Sequence, residues 1–85
     1  MNKSIHTAHQ HRLQELLRQV RIDAGLTQVD LAKKLATSHS RISDYERGER
    51  RLDMIQMRQY CEAVGITLRD FVDRFEEALT KAMPK

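Results

Sequence analysis

Ser38, His39 and Ser40 stand side by side, and a serine next to a histidine is the minimal pairing for nucleophilic chemistry. The spacing argues against that use. Adjacent residues on a helix do not face one another, and no acid is placed to orient the imidazole. His6, His9 and His11 offer a second group of nitrogens, but no nearby cysteine or carboxylate closes a tetrahedral set around them. Cys61 is the single cysteine, so no internal disulfide forms. Neither an enzyme nor a metal or other cofactor is expected.

The same stretch carries charge instead. Residues 33 to 51 hold six bases (Lys33, Lys34, Arg41, Arg47, Arg50, Arg51) against three acids (Asp44, Glu46, Glu49), a surplus equal to the net +3 of the whole chain. The last twenty residues balance four bases with four acids. A local basic face of this kind suits a polyanion, and nucleic acid is the commonest one. No apolar run approaches the roughly 20 residues of a membrane span, and the reading is of a soluble, cytoplasmic chain.

The elements that must carry these residues follow from periodicity. Eighty-five residues make one domain, poor in glycine, proline and aromatics, which favours helix over sheet. Residues 1 to about 9 lack apolar periodicity and are expected to be disordered. Leu13, Leu16, Leu17, Val20 and Ala24 then mark a first amphipathic helix, stopped by Gly25. Thr27 and Asp30 form a capping pair for a short second helix that buries Leu31, Ala32 and Leu35. After a turn of about three residues, Ser38 caps a third helix with Ile42 and Tyr45 inward and Gly48 at its end. At about 100° per residue, Ser40 and Asp44 point away from Ile42, flanked by Arg41 and Ser43. Asp53 opens a fourth helix, with Met54, Met57, Cys61 and Val64 along one side and Gly65 at its end. A fifth runs through Leu68, Phe71, Val72, Phe75, Ala78 and Leu79.

Two short helices joined by such a turn, the second with an exposed polar face, describe a helix-turn-helix spanning 27–47. The segments "AGLTQVDLAKKL", "ISDYERGERR" and "EAVGITLRDF" resemble the matching parts of Cro/cI-type (XRE family) helix-turn-helix domains over residues 12 to 72. The resemblance implies an all-α fold, a five-helix bundle of the lambda-repressor-like type, with the third helix in the DNA major groove. It implies base contacts from His39, Ser40 and Asp44, with Arg41 and Ser43 close by. It implies phosphate contacts from Gln28, Arg47, Arg50 and Arg51. It also implies that Glu46 pairs with Arg21 on the first helix, a structural clamp and not a reader. Three features depart from the family pattern. Asp44 places a carboxylate on the DNA-facing side, Ala36 replaces the usual turn glycine, and the fifth helix is longer than a minimal member needs.

That longer helix leaves Val72, Phe75 and Leu79 in line, an apolar stripe expected to join two copies of the chain across residues 66–83. The expected function is sequence-specific transcriptional regulation, as a dimeric repressor on a palindromic operator in double-stranded DNA. The rival readings are an antitoxin that binds a toxin partner and represses its own operon, or a controller of a restriction-modification system.

Overall fold

Local capping chemistry divides the chain into five helices. A computed structural model describes residues 3–82, with side chains described from Ala8 to Lys81. The helices are α1 (Lys3–Asp23), α2 (Gln28–Lys34), α3 (His39–Arg47), α4 (Met54–Val64) and α5 (Leu68–Ala82), and the described residues contain no strand. The expected all-α, five-helix architecture is the one found.

The starts of α2, α3, α4 and α5 each carry a side chain that accepts from an exposed amide. Thr27 and Asp30 form a reciprocal capping box, the Asp30 amide donating to Thr27 Oγ1 and the Thr27 amide to Asp30 Oδ2, both at 3.0 Å. Those bonds hold the Asp30 carboxyl below the usual carboxylate range. Ser38 accepts from the Arg41 amide at 3.1 Å. Asp53 and Gln56 repeat the box, and Thr67 accepts from the Asp70 amide at 2.9 Å.

The helix ends share one device. At the ends of α1, α2, α3 and α4 an amide two or three residues past the last helical position reaches back five residues: Leu26 to Arg21, Thr37 to Ala32, Glu49 to Asp44, Ile66 to Cys61. This motif needs a residue in the left-handed region. Gly25, Gly48 and Gly65 supply it at three ends, and Ala36 does so at the fourth with φ 54°, the one non-glycine residue with positive φ among the described residues. The turn between α2 and α3 is therefore closed in the same way as the others, but with a Cβ crowding the backbone.

The core is built from Leu17 and Val20 of α1, Leu31 and Ala32 of α2, Ile42 and Tyr45 of α3, Tyr60, Cys61 and Val64 of α4, and Phe71 of α5. α1 packs against α3 and α5, α2 against α3 and α4, and α4 against α5. The two residues that face inward from α3 are those expected. α1 begins at Lys3, with no glycine or proline to interrupt it before Asp23; residues 1 and 2 lie outside those described. Two other expectations need correction. Ala24 is exposed in the turn, and Leu26 packs on the core in its place. Met54, at the first position of α4, is 70% exposed, and the inward side runs instead through Met57, Tyr60, Cys61 and Val64. Burial pushes the Cys61 thiol up to about 11, so it packs as a small apolar group.

The positive φ at Ala36 generates a direct test. Ala36→Gly relieves the left-handed strain and should stabilise the fold by about 1 kcal/mol, read as a higher midpoint in thermal or urea unfolding. An unchanged or lower midpoint contradicts a strained turn.

Candidate nucleic-acid interface

The outer side of α3 is short and polar because only Ile42 and Tyr45 turn inward. His39 and Ser40 are exposed, and Arg41, Ser43 and Asp44 are half-exposed beside them. These five expected base-reading residues thus share one accessible surface. Ser38 leads into it, its hydroxyl 3.4 Å from that of Ser40.

The basic residues around this face are not equivalent. Arg50 and Arg51 are exposed, and neither makes an ion pair among the described residues; the Arg41 guanidinium has none either. Arg47 is already engaged, donating to Asp44 at 2.9 Å and to Glu49 at 3.2 Å. The acid on the outer face is therefore partly occupied by its own arginine. Such exposed pairs are weak, so an incoming phosphate can displace them at small cost.

Behind the face lies a buried polar junction. Glu46, the last-turn acid of α3, has a side chain only 4% exposed, and that of Arg21 is 10% exposed. Arg21 donates to it through two nitrogens, Nε to Oε2 at 2.6 Å and Nη2 to Oε1 at 3.0 Å, and through Nη1 to the Leu26 carbonyl at 2.9 Å. Glu46 Oε1 also accepts from Gln28 Nε2 at 3.0 Å, and Oε2 from Tyr60 Oη at 3.3 Å. The Glu46 hydrogen bond is the main cause holding the Arg21 guanidinium's pKa above its ordinary value. Burial first, then Glu46, raise the Tyr60 phenol. One carboxylate thus ties α1, α2 and α4 to the end of the exposed helix. The expected Arg21–Glu46 clamp is present and wider than a pair.

Gln28 belongs to both regions. Its amide nitrogen meets Glu46, while its amide oxygen lies 2.8 Å from His39 Nε2 on the outer face. One hydrogen of that nitrogen is left for a further acceptor.

Two residues of the junction were missed in the sequence. Tyr60 also donates to the Leu17 carbonyl at 3.0 Å; its signal was the helical step from Met57 through Tyr60 to Val64. Gln14 donates to the Glu46 carbonyl at 3.3 Å and lies against Gly48, where a Cβ would collide with its amide. No local pattern in the sequence marks Gln14.

The stripe on α5 is only partly open. Val72 is 44% exposed, while Phe75 and Leu79 are half-buried. Phe75 lines a groove with Leu13, Gln14 and Arg51, because α1 runs alongside α5. Among the described residues no cluster is fit to hold a metal ion; the side chain of His6 lies outside them. No described helix is long and apolar enough to cross a membrane.

Comparison with known proteins places this geometry. A family model described as helix-turn-helix matches residues 17–71. A solved structure described as an XRE-family like protein from Pseudomonas syringae pv. tomato is 36% identical, with a TM-score of 0.79, over 88% of this chain and 92% of that one. Two structures of the clp gene regulator ClgR from Corynebacterium glutamicum superpose with TM-scores of 0.74. They are 25% and 26% identical, cover 87% and 91% of this chain, and are themselves covered over 80% and 96% of their lengths. Among curated proteins none matches.

The junction predicts its own failure modes. Glu46→Ala leaves the Arg21 guanidinium buried without its carboxylate and should destabilise the fold by about 3–5 kcal/mol, read by thermal unfolding. An unchanged midpoint would show that the junction does not hold the helices together. Tyr60 supplies a pH signature. Its folded pKa is raised, so its contribution is complete below the ordinary tyrosine value of about 10 and is lost as pH rises beyond it. Tyr60→Phe should lower stability by about 1 kcal/mol at neutral pH and flatten the loss above pH ~10. An alkaline limb of equal steepness in both proteins contradicts this.

Proposed function

The chain belongs to the XRE family of helix-turn-helix DNA-binding proteins, and on that basis we propose that it is a transcriptional repressor that reads a palindromic operator as a symmetric dimer. The observation that carries the reading is the outer face of α3. Short polar side chains and an unpaired arginine project from a helix whose other side is locked into the core. A helix so placed fits the major groove, where short hydrogen-bonding groups reach base edges. Arg50 and Arg51, exposed and unpaired just past its end, suit the flanking phosphates, and the free amide hydrogen of Gln28 suits another at its start. Arg47 joins them by exchanging Asp44 and Glu49 for phosphate. Asp44 then becomes available to accept from a cytosine amine or to reject a site that lacks one.

The proposed dimer rests on scale. One recognition helix covers only a few base pairs, too few for the affinities of about 10⁻⁸ M or tighter typical of specific regulators. Two copies about 34 Å apart read both halves of a palindrome. Val72 is the open part of the α5 stripe and the centre of the proposed seam, with Phe75 and Leu79 behind it. The relationship to ClgR, a gene regulator, agrees with a regulatory role.

Arg50→Ala or Arg51→Ala should weaken binding to all duplexes alike and reduce the slope of log affinity against log salt by about 0.9. Ser40→Ala or Arg41→Ala should instead relax preference at particular base pairs by about 1–3 kcal/mol with unfolding unchanged. Competition binding with randomised duplexes separates the two; sequence preference intact in both α3 variants removes this helix as the reader. Val72→Glu should give a folded monomer with weak, salt-sensitive binding. Light scattering that finds a wild-type monomer at micromolar concentration, or an unchanged dimer in the variant, contradicts the seam.

A further inference from the structure

The hydrogen bonds that join the buried junction to the outer face have a fixed direction. The carboxylate of Glu46, already receiving two bonds from Arg21, can only accept. The Gln28 atom 3.0 Å from Glu46 Oε1 is therefore the amide nitrogen, and this sets the amide oxygen toward His39. An amide oxygen can only accept in its turn. The neutral His39 ring facing it at 2.8 Å must carry its hydrogen on Nε2, so Nδ1 is bare. Among the described residues Nδ1 has no hydrogen-bond partner, and His39 is exposed at the first position of α3. Arg21, Glu46, Gln28 and His39 form a chain of bonds whose polarity, set in the interior, ends in an acceptor at the surface.

We infer that His39 selects a base carrying an exocyclic amine, cytosine N4 or adenine N6, through Nδ1, with Gln28 and Glu46 as the residues that fix this polarity. Those two amines are the hydrogen-bond donors of the major groove. Guanine O6 and N7 and thymine O4 are acceptors, and they are refused by a bare nitrogen. The inference rests on the reading of α3 as the helix that enters the groove, and it adds the chemical class of base that its first residue takes.

The test has a DNA arm and a protein arm. Selection from randomised duplexes with wild-type protein and His39→Ala identifies the base pair at which the variant relaxes. Duplexes in which the cytosine or adenine of that pair lacks only its amine then decide between the two bases. Wild type should lose about 10-fold in affinity for the amine-free duplex, and His39→Ala should lose nothing further. Gln28→Ala should lose discrimination at this same base pair, and the double variant should relax it no more than His39→Ala alone. A Gln28 serving only the fold or a phosphate would weaken all duplexes equally and leave discrimination at this base pair intact, which overturns its part in the inference. Retained affinity for both amine-free duplexes overturns the inference, as does a His39→Ala protein whose preference matches wild type. A wild-type protein with no sequence preference at all overturns the regulator reading and this inference together. In the protein arm, nitrogen NMR of the free protein at mildly alkaline pH should show His39 protonated on Nε2 and bare at Nδ1. A hydrogen on Nδ1 overturns the polarity without touching the case for DNA binding.

Discussion

A carboxylate sealed from water must be compensated where it sits, and Glu46 has one arginine, one amide and one phenol arranged to do so. These partners come from α1, α2 and α4, whereas Glu46 itself lies in the last turn of the exposed helix. The cost of stranding any of these groups in the interior therefore fixes where α3 lies relative to the rest of the bundle. Apolar contacts alone would allow α3 to rotate or slide with modest loss. Ile42 and Tyr45 are only two anchors on nine residues. The directional bonds supply the missing constraint, and an orientation set in this way is what a surface that reads base edges requires.

The short helices gain little from intrinsic propensity. α2 has seven residues and α3 nine, below the length at which an isolated helix persists in water. Their stability comes from caps at both ends and from packing, α2 on α3 and α4 and α3 on α1 and α2. This explains why the strained left-handed Ala36 is tolerated. The turn it closes joins two helices that are each held at their other end, by the capping box at Thr27 and the reversal at Gly48. A local penalty of about 1–2 kcal/mol is small beside the burial of Leu31 and Ile42 that the turn permits.

Much of this was legible in the sequence because it is local. Thr27, Ser38 and Asp53 announce helix starts within three residues, Gly25, Gly48 and Gly65 announce ends, and the pair Ile42 and Tyr45 divides α3 into two sides. The Arg21–Glu46 pair was available only through family resemblance, since 25 residues separate the partners. The width of the junction was not legible. Gln28 looked like a phosphate ligand, yet its amide also bridges Glu46 and His39. Tyr60 was passed over because Met54 fitted the apolar side of α4 by composition, whereas the helix rotates to seat the larger aromatic ring and leaves Met54 in solvent. The stripe on α5 was read as open because its neighbour is distant in sequence: Phe75 shares a groove with Leu13 and Gln14 of α1.

The central claim is that a helix oriented by a buried polar junction reads DNA sequence. A genome-wide footprint of bound sites tests it most directly. The account predicts discrete protected sites that share one sequence, arranged as two inverted halves about one helical turn apart. Protection spread over the genome without a common sequence, varying only with local accessibility, would contradict it.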